Sequence, residues 1–279
     1  MFQTDMTFIT ELFTRNQELL WFATIAADLG FAILLFRLFG RQGLYASIVI
    51  SLLLANLQGP KLTEIFGLQT SMAVILYSSI YFATDLLSER YGKAEATRAV
   101  MIGFTVSVMI IVMISMSLFY LPASAPATAE LAQRMHEATA TLFDFTPRFV
   151  LGSLLAYLVS QRFDVWIFHA IKLKTQGRHL WLRNNVSTMC SQALDTLIYG
   201  LVVWWGVVDL ATAMQLALSK YLFKLLIAAL DTPFIYLARN WNVTDRDWVG
   251  GQTGAGRIRS DRYRVYSRRQ RLREGTDQG

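Results

Sequence analysis

The sequence predicts an all-α fold, a polytopic transmembrane bundle of about seven helices. The chain is 54% hydrophobic and only 16% charged, whereas soluble domains carry about a quarter charged residues. Such a chain cannot bury all its apolar side chains in one water-soluble core. Its apolar residues also form long segments, close to the roughly 20 residues that cross the hydrocarbon of a bilayer. The segments are 18–39, 43–58, 70–87, 99–121, 147–170, 185–208 and 213–238.

The start of the chain and its longest loop have distinct patterns. Residues 1–15 lack the basic start and the small-residue cleavage site of a signal peptide, so the first helix is expected to remain in the mature protein. The second segment is short and ends at Gly59-Pro60. The loop 122–146 is rich in alanine and threonine and is amphipathic over 130–136. This pattern predicts a surface helix. We expect this helix to cover the bundle rather than to form a binding site.

Basic residues are concentrated in alternate loops, which predicts the orientation of the helices. Cytoplasmic loops carry an excess of lysine and arginine, and the loops on the opposite side hold few or none. We therefore expect the N-terminus outside and the C-terminus in the cytoplasm, as an odd number of helices requires. The cytoplasmic set is Arg37, Arg41, Arg90, Lys93, Arg98, Lys172, Lys174, Arg178 and Arg183.

The last forty residues differ from the rest of the chain. Residues 240–279 contain few apolar side chains, several glycines and many arginines. Such a segment cannot bury enough surface to fold, so we expect a disordered basic tail. Its charge suits the anionic lipid of the cytoplasmic leaflet. No nucleic acid partner is expected, because no RNA-binding fold signature accompanies the charge.

The sequence lacks the usual signatures of metal, cofactor and catalytic sites. Cys190 is the single cysteine, which excludes an internal disulfide and a cysteine-based metal cluster. His136, His169 and His179 are too widely spaced to ligate one metal from a single helix. No nucleophile elbow, phosphate-binding glycine loop or dinucleotide fingerprint is present. We predict no metal and no cofactor, and an enzyme is the least favoured class.

A five-residue pattern occurs twice inside apolar segments, as Ser160-Gln161-x-x-Asp164 and as Ser191-Gln192-x-x-Asp195. A carboxylate is costly to bury in a membrane, so each aspartate predicts a site for a polar solute. The two helices run in opposite directions, which makes the repeat antiparallel, as in transporters built from inverted repeats. For Ser160 and Ser187 we favour a simpler role in helix association, where such bonds contribute under about 1 kcal/mol.

The periodicity of these two helices predicts a polar seam between them. Gln161, Asp164 and Phe168 share one face of the first helix, at i, i+3 and i+7. A similar stripe follows on the next helix, and the two stripes are expected to face each other. The second stripe consists of Asn184, Thr188, Ser191 and Asp195.

Further charges lie within the predicted helices near the third and seventh segments. Asp85 is a candidate site residue, whereas Glu89 is expected to form a surface pair with Lys93 at i+4. Lys224 lies deep in the last helix and requires a carboxylate partner, whereas Lys220 can extend outward.

Two other residues in the helices are expected to have structural roles. Asp28 is alone in the first helix and is expected to face another helix. Pro233 is expected to break or kink the last helix beside Asp231.

Several of these motifs together resemble the queuosine precursor transporter family, also called the vitamin uptake transporter family. The resemblance covers about residues 44–238. It implies a bacterial inner-membrane importer of 7-cyano-7-deazaguanine and 7-aminomethyl-7-deazaguanine, which serve tRNA modification. It also implies a six-helix core similar to the substrate-binding subunits of energy-coupling-factor importers, working without their ATPases. The motifs are Thr84-Asp85 with Glu89 and Tyr91-Gly92-Lys93, Ser160 to Phe168, Trp181 to Thr196, Asn56, Tyr221-x-x-Lys224 and Thr232-Pro233.

The resemblance also suggests a domain organisation and a set of substrate-binding residues. Residues 1–43 are an N-terminal segment with an added helix, 44–239 the transporter core and 240–279 the tail. Asp164 or Asp195 is expected to accept the ring N–H and amine of the base, with amides reading its carbonyl. The substrate-binding candidates are Asn56, Asp85, Gln161, Asp164, Phe168, Ser191, Gln192, Asp195 and Lys224.

Several alternatives stay open at this point. Phe168, Trp166 or Trp181 could stack on the base, although aromatic residues near a membrane interface more often anchor helices. The cargo could be another vitamin or nucleobase, because pocket contacts rather than the fold set specificity. The chain could instead be a binding subunit for separate ATPases, and a homodimer is compatible with the sequence. Transport could be facilitated or coupled to protons.

Overall fold

The computed structural model describes residues 15–58, 61–143, 147–206, 209–241 and 243, without the side chains of 147–151 and 204. Seven long helices in it correspond to the seven predicted segments, and a shorter helix lies between the fourth and fifth of them. The helices are α1 (Gln17–Phe39), α2 (Arg41–Gln58), α3 (Ala73–Arg90), α4 (Lys93–Ser117), α5 (Ala129–Phe143), α6 (Pro147–Lys174), α7 (Leu180–Tyr199, continued by a π-helical turn, Gly200–Trp204) and α8 (Leu210–Ala238).

The helices form a polytopic membrane bundle, which confirms the predicted fold class. Within the described ranges, α1, α4, α7 with its π-helical turn, and α8 are each long and apolar enough to cross a membrane by themselves. Large apolar side chains cover the outside of the bundle: Phe31 is 67% and Met113 is 60% exposed. Lipid, rather than water, is the solvent that suits such a surface.

Helix α3 is at the centre of the bundle. Most of its side chains between Val74 and Ser88 are buried, and it packs against α1, α2, α4, α6 and α8. On α4, Gly103 allows a close approach, because a Cβ there would collide with the Tyr157 hydroxyl on α6 and with Leu52 on α2. The part of α3 that contributes to the site described below is therefore enclosed by neighbouring helices.

A β-hairpin that the sequence did not predict precedes α3. Strands β1 (Leu62–Ile65) and β2 (Leu68–Ser71) pair antiparallel. The two-residue turn Phe66-Gly67 has positive φ at both positions, 53° and 72°, as in the hairpin turns that match strand twist. The third segment was expected to begin at residue 70, but α3 begins at Ala73 because β2 occupies the residues before it.

The longest loop contains a surface helix, as predicted. None of the residues of α5 is buried. Its larger apolar side chains recur at helical spacing on one side, at Leu131, Met135 and Leu142. An amphipathic helix of this kind suits the boundary between lipid head groups and water.

Pro233 was expected to break or kink α8; the break is wrong, because the proline lies inside a continuous helix. The helix continues to Ala238. Hydrogen bonds from neighbouring groups hold this stretch: the Thr232 hydroxyl donates to the Ala228 carbonyl (3.0 Å), and Asn185 Nδ2 donates to Thr232 Oγ1 (2.9 Å). Such side-chain contacts let a membrane helix tolerate proline.

The first helix is held against the centre of the bundle by a partly buried polar contact. Asp28 accepts hydrogen bonds from Ser78 Oγ (2.5 Å) and from the backbone N–H of Ser79 (3.0 Å). The prediction that Asp28 faces another helix is therefore confirmed.

Ordered structure also continues past the end of α8. Trp241 stacks on Phe36 of α1, with 6.4 Å between the ring centroids. Arg90 Nη1 donates to the Trp241 carbonyl at 2.7 Å. Residues 244–279, which hold most of the predicted tail, lie outside the described ranges.

Candidate functional site

The two Ser-Gln-x-x-Asp motifs contact each other reciprocally along the interface between α6 and α7. Ser191 Oγ donates to Asp164 Oδ1 at 2.9 Å, and Ser160 Oγ donates to Asp195 Oδ1 at 3.4 Å. All four side chains are buried. The serine of each motif thus binds the aspartate of the other, as an antiparallel repeat requires. The predicted polar seam is present in the structure.

At one end of this seam, Asp195 has a cationic partner. Lys224 of α8 forms an ion pair with the Asp195 carboxylate and also donates to Gln192 Oε1 at 2.6 Å. Its ammonium lies 4.9 Å from the centre of the Tyr77 ring. Lys224 is completely buried, and the prediction that it requires a carboxylate partner is confirmed. The charges of lysine and aspartate balance at this end.

At the other end of the seam, three carboxyl groups from different helices lie together. Asp85 of α3 lies beside Asp164 of α6, and Asp231 of α8 is close enough to interact electrostatically with both. Their exposed fractions are 1%, 4% and 0%. Among the described residues no lysine or arginine forms an ion pair with any of the three. We call Asp85, Asp164 and Asp231 the carboxylate cluster.

Several buried polar atoms around the cluster have no hydrogen-bond partner within the described ranges. Both carboxylate oxygens of Asp85 are among them, together with the Tyr81 hydroxyl and the Thr188 hydroxyl. Asp231 accepts from Asn184 Nδ2 at 3.0 Å, but its other oxygen has no donor. Buried polar groups in proteins are almost always satisfied. These unsatisfied donors and acceptors make the region around the cluster the candidate site for a polar ligand.

A second group of charges closes the seam beyond the cluster. Glu89 Oε1 and Oε2 pair with Arg183 Nη2 (2.7 Å) and Lys172 Nζ (2.9 Å). Arg183 also donates to the carbonyl oxygens of Gly177 and Arg178, at 3.1 and 3.0 Å. Glu89, Lys172 and Arg183 join α3, α6 and α7, and we call them the clasp.

The expected surface pair between Glu89 and Lys93 is wrong. Helix α3 ends at Arg90, and Gly92 has a φ of 92°, so the chain turns before Lys93. An i, i+4 pair requires a continuous helix. Glu89 instead turns inward to Lys172 and Arg183, and no local sequence pattern indicates those distant partners.

The other candidate residues lie at varied distances from the cluster. Gln161 is buried on α6 beside the motif aspartate. Phe168 is fully buried, and the guanidinium carbon of Arg183 lies 5.6 Å from its ring centre. Asn56 lies on α2, and its amide nitrogen is buried without a hydrogen-bond partner in the described part of the chain.

Three further side chains, two tryptophans and a lysine, are not part of the seam. Trp166 and Trp181 are 55% and 54% exposed on the outside of the bundle, where anchoring residues lie, so stacking on a buried ligand does not suit them. Lys220 was expected to extend outward, but its ammonium lies 3.8 Å from the centre of the Tyr199 ring on α7. A cation–π contact holds it against the neighbouring helix.

A separate cavity of about 70 Å³ lies between α1 and the hairpin. Trp21, Thr24, Lys61 and Thr63 are among the residues that line it, and none of its lining residues is a carboxylate. It therefore lacks the acceptors that distinguish the carboxylate cluster.

The fold and the site together define a class: a multi-pass helical membrane protein with a buried polar site for a small molecule. Residues 71–238 match the family described as vitamin uptake transporter, and the chain belongs to this family.

The chain is also similar to named proteins of two bacteria. It is 38% identical over 209 residues to the "Probable queuosine precursor transporter" of Bacillus subtilis (strain 168), covering 74% of this chain and 88% of that one. It is 28% identical over 168 residues to the "Queuosine precursor transporter" of Escherichia coli (strain K12), covering 59% and 70%. No solved structure matches the chain.

Proposed function

We propose that this protein imports 7-deazaguanine precursors of queuosine across the bacterial cytoplasmic membrane. The names of its two relatives support this cargo, and the family supports a transport role rather than an enzymatic one. The single observation that carries the proposal is the carboxylate cluster, whose acceptors have no cation partner within the described ranges. A 7-deazaguanine offers donors to such acceptors.

Asp164 is the group that best suits the guanidine-like edge of the base. That edge presents a ring N–H and an exocyclic amine side by side, and one carboxylate accepts from both. Asp195 is already engaged by Lys224, and Gln192 likewise accepts from Lys224. Asp164 accepts from the Ser191 hydroxyl and has no lysine or arginine partner among the described residues. The difference in partners therefore favours Asp164 over Asp195.

The carbonyl of the base requires donors, and two buried hydroxyls can supply them. The hydroxyls of Tyr81 and Thr188 have no partner within the described ranges. Tyr81 is close enough to Asp195, Asp164 and Asp231 to interact with all three electrostatically. Discrimination then follows, because a base with a different arrangement of donors leaves these buried groups unpaired.

We infer that the clasp lies at the cytoplasmic end of the bundle and that the N-terminus is outside. Basic residues predicted to be cytoplasmic meet at that end: Arg41 pairs with Glu95 at 3.3 Å, and Arg90 reaches the Ala238 carbonyl at 3.2 Å. Their common location supports the orientation given by the excess of basic residues. The hairpin is connected to the opposite ends of α2 and α3, so in the proposed orientation it lies on the external side.

Binding from either side requires the helices to separate, since the three carboxyl groups of the cluster are almost completely buried. On the cytoplasmic side, opening requires the clasp to release α3 from α6 and α7. The structure thus supports a mechanism in which access alternates around a fixed central site.

The proposal is tested in cells that cannot make deazaguanines but can convert them to queuosine. The measurement is queuosine in tRNA after feeding a low concentration of precursor. Asp164→Asn is expected to lower initial uptake about 10- to 100-fold at unchanged membrane abundance, since a hydrogen bond to a charged group is worth about 1.5–3 kcal/mol. Asp209→Asn is the matched control, because Asp209 is exposed and caps α8 by accepting from the Thr212 N–H (2.9 Å).

Each outcome has a distinct meaning. Full uptake by Asp164→Asn refutes the assignment of Asp164. No queuosine with wild-type protein in the membrane refutes the proposed cargo and leaves another vitamin or nucleobase as the candidate. Restoration only when a separate ATPase is coexpressed identifies a binding subunit of a larger importer.

A further inference from the structure

The charges buried along the seam do not balance at the carboxylate cluster. Asp85, Asp164 and Asp231 lie together, and in the described part of the bundle none forms an ion pair with a basic residue. The nearby cations are engaged elsewhere: Lys224 with Asp195, and Lys172 and Arg183 with Glu89. A buried carboxylate without a cation is costly.

The two substrates of the proposed function differ in charge. The aminomethyl form carries an ammonium at neutral pH, whereas the cyano form has a neutral nitrile. Only the first brings its own positive charge to the cluster. With the second, the cluster requires a positive charge from another source, and in a closed membrane site a proton is the smallest available cation.

Resting on the proposed function, we propose that the carboxylate cluster moves one positive charge inward with each base. With the aminomethyl substrate this charge is the ammonium of the base. With the cyano substrate it is a proton, taken by the Asp85 carboxylate from the external side and released to the cytoplasm when the base leaves. The net charge carried is the same for both substrates, but only one of them couples to the proton gradient.

Asp85 is assigned to the proton because of its surroundings. Both of its oxygens are buried and have no hydrogen-bond partner within the described ranges, whereas Asp164 and Asp231 each accept a hydrogen bond. Tyr81, whose hydroxyl has no partner in the described part of the chain, precedes Asp85 by one helical turn on α3.

The groups that interact electrostatically with Asp85 are Asp164 on α6, Arg183 on α7 and Asp231 on α8. Arg183 connects this region to Glu89 on α3 and to Lys172 on α6, and Glu89 and Lys172 in turn interact with His169 on α6. Tyr81 on α3 interacts with Asp164 and Asp231. Asp28 on α1 contacts α3 farther away, at Ser78 and Ser79, and Lys224 on α8 pairs with Asp195 on α7 at the other end of the seam. His169 is the group among them whose ordinary titration range most closely overlaps neutral pH, so the experiment includes a variant of it.

The experiment uses the full-length protein in proteoliposomes and measures accumulation of each labelled base. An inside-negative potential of about 60 mV is expected to raise the accumulation of both bases about tenfold, because each carries one charge. An inward proton gradient of about one pH unit, without a potential, is expected to raise accumulation of the cyano base about tenfold and leave that of the aminomethyl base unchanged.

Asp85→Asn is expected to abolish the response of the cyano base to the proton gradient, while exchange of internal for external cyano base continues at a reduced rate. His169→Gln and Asp209→Asn are expected to keep that response. An equal response of both bases to the proton gradient, or no response of either base to the potential, overturns the charge proposal. A retained proton response in Asp85→Asn overturns its assignment to Asp85. Absence of uptake of either base by folded protein refutes the proposed function itself.

Discussion

The two ends of the α6–α7 seam carry the same five-residue motif but have opposite electrostatic surroundings. Asp195 has Lys224 as a partner and lies in a balanced pair. Asp164 has the same serine contact, but its charged neighbours are two further carboxyl groups, Asp85 and Asp231. The sequence of the motif is thus not sufficient to define a role; the residues contributed by α3 and α8 decide it.

Under the proposed function, this difference separates a structural carboxylate, Asp195, from a binding one, Asp164. A buried ion pair has little further capacity to bind a ligand, because its charges are already compensated. A buried carboxylate without a cation partner retains that capacity. Disruption of the Asp195 end is therefore expected to affect stability most strongly, and disruption of the Asp164 end is expected to affect uptake.

The largest expected effect is that of Lys224→Met. Removal of the lysine leaves Asp195 as an uncompensated buried charge, which is expected to cost about 3–5 kcal/mol. The measurement is the melting temperature of the purified protein in detergent. The double variant Lys224→Met with Asp195→Asn is expected to recover most of the loss. A double variant no more stable than the single one contradicts the pairing.

A somewhat smaller loss of stability is expected for Glu89→Gln. The amide leaves two buried or half-buried cations of the clasp without their carboxylate, and an unsatisfied charged group costs about 3 kcal/mol. The melting temperature is again the measurement. Lys93→Gln is the control, because α3 ends between Glu89 and Lys93 and the two residues therefore do not form an i, i+4 pair. Equal losses in the two variants would show that Glu89 pairs with Lys93 after all.

The clasp also shows what the sequence can and cannot predict. The seven long helices follow from apolar length, and the seam follows from the spacing of polar residues on single helices, both of which are local properties. The partners of Glu89 are more than eighty residues away, and nothing local specifies them. The hairpin was missed for a related reason: its turn, Phe66-Gly67, lacks the asparagine or aspartate that usually accompanies glycine there.

Lys224 illustrates the same limit within the site. Its depth in an apolar helix predicts that it requires a carboxylate, but several aspartates on neighbouring helices satisfy that requirement equally from sequence alone. Which aspartate pairs with Lys224 depends on the positions of α7 and α8 relative to each other along their axes. Only the packed structure shows that this partner is Asp195. The unsatisfied hydroxyl of Tyr81 was missed because a tyrosine in an apolar helix usually has a packing role.

A moderate effect is expected for Asp28→Asn, which extends the comparison to a partly buried aspartate outside the seam. Asp28 has no ion pair among the described residues, but two donors from α3 satisfy it. Loss of the charge is expected to weaken these bonds by about 1 kcal/mol, lowering the melting temperature slightly, with the substrate concentration for half-maximal uptake unchanged. An increase in that concentration comparable to the effect of Asp164→Asn would place Asp28 in the site.

The smallest expected effects are those of the two motif serines, and they compare the two ends of the seam directly. Hydrogen bonds between membrane helices contribute about 0.6 kcal/mol on average. Ser191 donates to Asp164 at 2.9 Å, whereas Ser160 donates to Asp195 at 3.4 Å, and Asp195 retains Lys224 when the serine is removed. Ser191→Ala is therefore expected to reduce uptake two- to threefold, since Asp164 loses a donor that orients it, and Ser160→Ala is expected to have almost no effect. Concentration-dependent uptake at matched membrane abundance measures both. A larger effect of Ser160→Ala than of Ser191→Ala would reverse the roles assigned to the two motifs, because it would mean that the balanced end of the seam is the one that holds the base.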